Sequence, residues 1–231
     1  LGFRPEDALG RPFGDFVAEP DRARLADRHQ RRMRGEVVPG GGRVRLRHHN
    51  PRLARIADIL FVPLHGGNLG QWVVTIKDVT LQVRNERELL IAATVFEHAA
   101  EGVMVIDHDN RILRVNPAFT SITGYTPGEV LGQKPDILRS GRHDAAFYQD
   151  MWQARAERGH WDGEIWNRHK NGSLYIESLS ITTVPEDADE AGKYVATFTD
   201  ITKRKEAEEL LRHKAHHDPL TDLPNRTLFQ D

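Results

Sequence analysis

The apolar positions between residues 102 and 202 alternate along short strands, then follow a helical period, and then alternate again. GVMVIDHDNRILRVN at 102–116 has two short apolar runs around Asp109-Asn110, which predicts a β-hairpin because both turn residues suit a tight turn. Asn116-Pro117 then predicts a helix start. Asn116 serves as the N-cap, and Pro117 occupies the first helical position, where a missing N–H does no harm.

Helical spacing fills the middle of this segment. Short helices are predicted between breaks at Gly124, Pro127, Gly132 and Pro135. RHDAAFYQDMWQARAERG at 142–159 predicts a longer amphipathic helix, because Phe147, Met151 and Ala154 are spaced for one buried face.

The remainder of the segment predicts strands. Residues 161–184 carry Asn171-Gly172 at their centre, a strong hairpin signal because both residues accept positive φ. YVATFTDIT at 194–202 has Tyr194, Ala196 and Phe198 on one face. This order predicts an α+β fold, with a five-stranded antiparallel sheet, short helices across one face and a pocket beneath the helices.

The chain also repeats itself at a fixed spacing of 122 residues. The matched pairs at the front are Gly2/Gly124, Phe3/Tyr125, Pro5/Pro127, Leu9/Leu131 and Gly10/Gly132, and those at the back are Asp78/Asp200 and Thr80/Thr202. Equal spacing at both ends predicts two copies of one domain, an incomplete one at 1–80 and a complete one at 101–202. The chain begins at Leu1 rather than Met, and we expect it to be a piece of a longer protein.

Four segments of the complete copy resemble PAS domains with their C-terminal PAC motif. They are RVNPAFTSITGY, the Gly-Tyr-x-Pro-x-Glu-x-Leu-Gly turn at 124–132, GHWDGEIWNRHKNGSLY at 159–175 and the final Asp-Ile-Thr. Residues 1–80 resemble the later two-thirds of a second PAS domain. The resemblance implies two tandem sensory domains joined by a helical connector at 81–100 and followed by a signalling helix at 203–217.

The last residues, HDPLTDLPNRTLFQD, resemble the start of a GGDEF domain, the diguanylate cyclase fold. The matching residues are Asp218, Leu220, Thr221, Asn225 and Arg226. The resemblance implies a sensory and dimerisation region that controls cyclic-di-GMP synthesis, with or without a further phosphodiesterase domain. The signature catalytic loop is absent, so no catalytic residue is assigned here. The alternatives are a ligand-free PAS interaction module and the sensor region of a histidine kinase.

Cofactor candidates come from the same resemblance, because GEIWN is similar to a segment of flavin-binding PAS sensors. Trp161, Glu164, Trp166 and Asn167 are the candidate contacts for FAD or FMN, since an amide can bond the polar edge of a flavin and an indole can wall its pocket. Core or dimer-interface packing of both tryptophans is the alternative. His143 at the start of the long helix is the candidate ligand for haem, the other cofactor considered.

Asp78, Thr80, Asp200 and Thr202 lie where a strand gives way to a helix. Their side chains are expected to bond free N–H groups at the helix start. In the PAS family this junction passes motion from the sheet to the next element, so these four residues are the candidate signal relay.

Composition narrows the chemistry. The chain has no cysteine, which excludes disulfides, thiolate zinc sites and photochemistry through a cysteinyl-flavin adduct. Adjacent pairs such as His48-His49 point in different directions on a strand or helix, so no metal site is predicted. No apolar run reaches the roughly 18 residues of a membrane span. We therefore expect a cytoplasmic segment, with any membrane anchor upstream.

Charge is unevenly distributed, with 15 basic and 9 acidic residues in 1–85 against 17 and 25 in 86–231. The arginine-rich stretch at 22–34 has no interleaved aromatic residues, which predicts a solvated helix face rather than a nucleic-acid site. The expected partners are a second copy of the chain and a small-molecule ligand in the pocket of the complete PAS copy.

Overall fold

The computed structural model describes residues 4–48, 53–63, 71–184 and 192–217. The chain divides into two compact units, residues 1–92 and 93–231. Each unit has its own sheet and its own apolar core.

The first unit places helical segments before a three-stranded antiparallel sheet. Its elements are α1 (Pro5–Ala8), a 3-10 turn (Phe13–Phe16), α2 (Glu19–Met33), β1 (Gly41–Leu46), β2 (Arg55–Pro63) and β3 (Trp72–Asp78). The strands follow the order β1-β2-β3. Helix α3 (Thr80–His98) begins in this unit and ends in the second.

The second unit is an α+β domain with a five-stranded antiparallel sheet, as the sequence predicts. Its elements are β4 (Gly102–Ile106), β5 (Ile112–Val115), α4 (Pro117–Thr123), α5 (Pro127–Val130), a 3-10 turn (Pro135–Leu138), α6 (Ala145–Arg158), β6 (His160–Arg168), β7 (Leu174–Val184), β8 (Lys193–Asp200) and α7 (Thr202–His216). The strand order is β5-β4-β8-β7-β6, so the first hairpin joins the sheet through β8.

Asn116 holds three elements of the second unit together. Its Oδ1 accepts from the Phe119 N–H at 2.9 Å, which caps α4 as predicted, and from the Val103 N–H at 2.8 Å. Its Nδ2 donates to the carbonyls of Phe96 in α3 at 3.2 Å and Glu101 at 2.9 Å. The buried amide therefore fixes the end of α3 against β4 and α4.

Helix α6 starts later than the predicted residue 142. The reason is Asp144, whose Oδ1 accepts from the Phe147 N–H at 2.9 Å and makes Asp144 the N-cap. Gly159 ends the helix with φ +76°, a left-handed conformation that favours glycine. The following residue begins β6, so this glycine turns the chain from the helix into the sheet.

Gly102 in β4 lies directly opposite Phe198 in β8. A Cβ at this position would lie 2.4 Å from the Phe198 ring. Gly102→Ala therefore forces the ring out of the core, and we expect a loss of about 1–3 kcal/mol in the free energy of unfolding.

Gly128→Ala is the matched control, because no atom lies within 4 Å of the added Cβ in helix α5. We expect it to be neutral or slightly stabilising. Urea denaturation of both variants measures the difference. Equal stability of the two variants would contradict the assigned ring position.

Candidate functional site

A small cavity of about 60 Å³ lies between the helices and the sheet of the second unit. Most of its wall is apolar, and its remaining lining side chains are polar or charged. The apolar residues are Met104, Ile106, Pro135, Leu138, Met151, Trp152, Ile165, Leu179, Ile181, Ala196 and Phe198, and the others are Asp136, Arg139, Tyr148, Asn167 and Glu177. The cavity therefore suits a mainly apolar molecule with a few polar contacts.

Glu177 is the most buried carboxylate in the wall, with 2% of the residue exposed. The Asn167 Nδ2 donates to its Oε1 at 2.9 Å, whereas its Oε2 has no hydrogen-bond partner within the described part of the chain. Burial raises the pKa of Glu177 to about 8, and this outweighs the Tyr175 hydroxyl and the Asn167 amide, which lower the pKa by interacting with the carboxylate. Glu177 is thus an uncharged carboxylic acid at neutral pH.

Tyr148 contributes a second buried polar atom. Its hydroxyl has no hydrogen-bond partner among the described residues, and burial raises its pKa. The Arg139 guanidinium lies 4.1 Å from the centre of the tyrosine ring. Arg139 also pairs with Asp136 at 3.0 Å, so its charge is directed to that partner.

Of the four candidate flavin contacts, the structure places only Asn167 in the cavity wall. Trp161 packs against the core, with its ring 6.2 Å from that of Phe147. Because successive strand residues face opposite sides, Glu164 and Trp166 point away from Ile165 and Asn167. Glu164 and Trp166 therefore do not line the cavity, contrary to the prediction from the sequence.

The outward residues of β6 make other contacts. Glu164 pairs with Lys205 of α7 at 2.8 Å, and the Arg142 guanidinium lies 4.1 Å from the centre of the Trp166 ring. Glu164 thus joins the outer face of the sheet to α7.

His143 does not fit the haem alternative. Its Nε2 accepts from the Trp166 N–H at 2.9 Å, so the lone pair that iron would need is already used. Its ring stacks on Phe147 with centres 4.0 Å apart, and burial lowers the pKa of the imidazole. His143 instead fastens the start of α6 to β6.

A flavin fits the chemistry of the cavity better than its size. Asn167 and Glu177 supply polar groups suited to the edge of a flavin ring. The cavity volume of about 60 Å³ is nevertheless far below the roughly 300–1,000 Å³ of ordinary ligand pockets. With the side chains as they lie, an isoalloxazine ring does not fit the cavity.

Sequence reasoning missed Glu177 and Tyr148. A signal for Glu177 was present, because it shares the inward register of Leu179 and Ile181 in β7. A carboxylate in an otherwise apolar register indicates a buried polar site.

The strand-to-helix junction has the same hydrogen bonds in both units. Asp200 Oδ1 accepts from the Thr202 N–H at 2.8 Å, and Asp78 Oδ1 accepts from the Thr80 N–H at 2.9 Å. The threonine hydroxyls differ from expectation, because they accept from a neighbouring strand rather than from the helix. Thr202 accepts from the Ile176 N–H at 3.1 Å, and Thr80 accepts from the Ile56 N–H at 2.8 Å.

The arginines of α2 are occupied within their own unit. Arg22, Arg24 and Arg31 pair with carboxylates at 2.7–2.8 Å. Arg28 donates to the Gly41 carbonyl at 2.6 Å, and the Arg32 guanidinium lies 4.9 Å from the centre of the Phe61 ring. These contacts give the arginine-rich stretch a structural role.

Three further predictions concern metals, membranes and the C-terminal motif. The described residues include no group of three His, Asp or Glu side chains placed to hold a metal ion. No helix in the described ranges is long and apolar enough to span a bilayer. The cyclase-like residues Asp218, Leu220, Thr221, Asn225 and Arg226 lie outside the described residues.

The PAS domain family model matches residues 100–203, which lie in the second unit. This segment is a PAS domain. The match runs from just before β4 to the start of α7, so the cavity and the strand-to-helix junction both belong to the PAS domain.

The chain is similar to parts of much longer proteins. A nitrogen fixation regulatory protein of Klebsiella oxytoca is 33% identical over 120 residues, 52% of this chain and 24% of that protein. The sensor histidine kinase TmoS of Ectopseudomonas mendocina is 30% identical over 118 residues, 51% of this chain and 12% of that protein. This chain thus spans about a quarter or less of these relatives, which are signalling proteins by name.

A PAS domain from Colwellia psychrerythraea is a similar solved structure. Its TM-score is 0.48 at 22% sequence identity, covering 51% of this chain and 99% of that chain.

Glu177 should make the stability of the PAS domain depend on pH. Its pKa rises on folding from 4.5 to about 8. Protonation of Glu177 therefore adds most to the free energy of unfolding below pH 4.5, and this contribution is lost as the pH rises through 8. Glu177→Gln removes this titration. We expect wild type to lose a few kcal/mol relative to the variant between pH 4.5 and 8.

Urea denaturation of both proteins across this pH range measures the effect. Groups that titrate equally in both proteins cancel in the difference. Parallel stability curves would contradict a buried, protonated Glu177.

Proposed function

We propose that the PAS domain senses a small molecule in its cavity and passes the bound state to α7. The observation that carries this proposal is the position of Ile176, next to the cavity residue Glu177 in β7. The Ile176 N–H donates to Thr202 Oγ1, and its carbonyl accepts from the Ile201 N–H at 2.9 Å. Both backbone groups of one strand residue therefore hold the start of the output helix.

A ligand at Glu177 has a short route to α7. It would displace Glu177 or its partner Asn167, and β7 would carry that shift to Ile176 and Thr202. The pair between Glu164 and Lys205 gives a second connection, from β6 to the same helix. Signalling requires that the ligand bind two arrangements of this junction with different affinities.

We also propose that the first unit is the later part of a second PAS domain. Support comes from the equal spacing of matched elements. Helices α1 and α5 are 122 residues apart, as are the 3-10 turns at Phe13–Phe16 and Pro135–Leu138. The sheet order β1-β2-β3 also corresponds to β6-β7-β8, and the last strand of each sheet is followed by the same hydrogen-bonded junction.

The proposed output is cyclic-di-GMP synthesis by a GGDEF domain that begins near residue 218. Support comes from the ordered motif at 217–226 and from its position directly after α7. A homodimer would bring two such domains together. Exposed apolar side chains that could pack in the dimer lie on α3, at Leu81, Leu89, Ile91 and Val95, and on α7, at Leu210 and Leu211.

Control of a histidine kinase is the second candidate output. Its support is the similarity to a sensor histidine kinase. A ligand-free interaction module is the third reading, and the small volume of the cavity favours it.

The output proposal predicts that the full-length protein converts GTP into cyclic di-GMP. Chromatography of the reaction products measures the conversion. Transfer of phosphate from ATP to a histidine, without any cyclic dinucleotide, would favour the kinase instead.

Thr202→Val should loosen the junction while keeping the shape of the side chain. Valine cannot accept from the Ile176 N–H, and losing the partner of a part-buried donor costs about 1–3 kcal/mol. We expect amide exchange at Ile176 and in the first turn of α7 to become roughly ten- to a hundred-fold faster.

Thr199→Val on β8 is the matched control, because Thr199 is exposed. Hydrogen exchange followed by NMR measures both variants. The relay would be refuted if Thr202→Val left exchange at Ile176 and α7 at the control rate.

A further inference from the structure

A short strap, residues 139–143, connects the 3-10 turn at Pro135–Leu138 to the start of helix α6. Arg139, its first residue, forms an isolated antiparallel bridge with Asn167 of β6. Strand β6 lies at the end of the order β5-β4-β8-β7-β6, so its outer backbone groups are available to the strap. The strap therefore takes the place of a further strand along this edge of the sheet.

Both backbone groups of Trp166 in β6 are bonded by side chains of the strap. Ser140 Oγ donates to the Trp166 carbonyl at 2.6 Å, and His143 Nε2 accepts from the Trp166 N–H at 2.9 Å. Ser140 is buried, and its Oγ also accepts from the Arg142 N–H at 3.1 Å. One residue of the edge strand thus holds the strap at two points.

The strap is also connected to the wall of the cavity. Leu138, which precedes it, and Arg139 both line the cavity, and the Arg139 guanidinium lies over the Tyr148 ring. Movement of the strap away from β6 would draw these side chains out of the wall and enlarge a cavity of about 60 Å³. A ligand of ordinary size requires such an enlargement, because ordinary ligand pockets are several times larger.

We propose that the strap is the gate of the cavity and that the neutral imidazole of His143 is its latch. A backbone N–H can only donate, so His143 must accept through an unprotonated Nε2 to bond Trp166. Protonation turns that nitrogen into a donor, and the Trp166 N–H then loses its acceptor. The inference rests on the proposal that the cavity receives the signal molecule, and it adds that acid opens the entrance.

The surroundings of His143 keep the latch closed at neutral pH. Burial lowers the pKa of the imidazole below its ordinary 6.5, and this outweighs the adjacent Asp144, which acts in the opposite direction. From α6, Phe147 stacks on the ring, and the Tyr148 hydroxyl stays uncharged because burial raises its pKa. The closed strap therefore prefers the neutral ring, and its stabilisation by the latch is lost as the pH falls below 6.5.

Two arginines attach the strap by contacts that do not depend on pH in this range. Arg168 of β6 donates to the Ser140 carbonyl at 2.6 Å, and the Arg142 guanidinium lies 4.1 Å from the centre of the Trp166 ring. Arginine stays charged wherever histidine titrates, so these contacts remain after His143 gains a proton. Acid therefore loosens the strap without unfolding it.

Amide exchange at Trp166 tests the latch with the 231-residue chain. Comparison of the observed rate with the intrinsic exchange rate at each pH gives the protection of the amide. We expect this protection to fall roughly tenfold or more between about pH 8 and about pH 5, as His143 gains a proton. Hydrogen exchange followed by NMR measures it.

Two substitutions of His143 should each abolish the pH dependence. The oxygen of a glutamine side chain accepts at every pH, so His143→Gln should keep Trp166 protected at both pH values. His143→Ala has no acceptor and should leave it exposed to exchange at both. His160→Gln is the matched control, because His160 is an exposed histidine of the same strand, and it should keep the wild-type pH dependence.

Xenon tests whether the strap is the gate. It is uncharged and binds in apolar cavities, so pH can change its entry only through the protein. We expect xenon to shift the methyl signals of Met151 and Ile165 in the cavity wall. It should exchange roughly tenfold faster at about pH 5 than at about pH 8 in the wild type, and slowly at both in His143→Gln.

The inference is overturned if protection at Trp166 does not change with pH, if His143→Gln retains the pH dependence, or if xenon exchange does not follow the latch. A latch that opens in acid, with Thr202→Val leaving exchange at α7 unchanged, would support the gate and refute the relay. A relay that behaves as expected beside a pH-independent latch would refute the gate alone. The two proposals therefore fail separately.

Discussion

The hydrogen bond between Asn167 and Glu177 governs the chemistry of this PAS domain. Strand alternation turns Glu177 toward the apolar core, where an unpaired charge would cost far more than a neutral acid. The Asn167 amide donates to one carboxyl oxygen, and the other is buried without a hydrogen-bond partner among the described residues. The pair gives the apolar wall of the cavity a polar side, and burial keeps the acid protonated against the opposing effect of the Asn167 hydrogen bond.

Strand β6 lies between the cavity and the output helix. Its inward side chains, Ile165 and Asn167, form part of the wall, and its outward Glu164 pairs with Lys205 of α7. Strand β7 has a similar double role through Glu177 and the backbone of Ile176. The cavity and α7 are thus connected through single residues of β6 and β7, so the relay proposed above needs no long chain of contacts.

Local sequence signals predicted most of the fold, because turns and helix starts depend on neighbouring residues. Asn116 caps α4 and the Asn171-Gly172 turn joins β6 to β7 as expected. The site was harder to predict. Residue type predicts Glu164 and Trp166 as flavin contacts, but the alternation of side chains along β6 directs both away from the cavity. The hydrogen bond from the Trp166 N–H to His143 Nε2 depends on packing between distant segments, which no local pattern reveals.

The junction after each sheet has a consequence for how such proteins can change over evolution. The Asp-x-Thr arrangement bonds the new helix to backbone atoms of an isoleucine in the neighbouring strand, Ile56 in one unit and Ile176 in the other. Because backbone atoms are common to all residues, the attachment depends little on the side chains of the sheet. The side chains of either sheet can therefore change while the helix that follows keeps the same attachment.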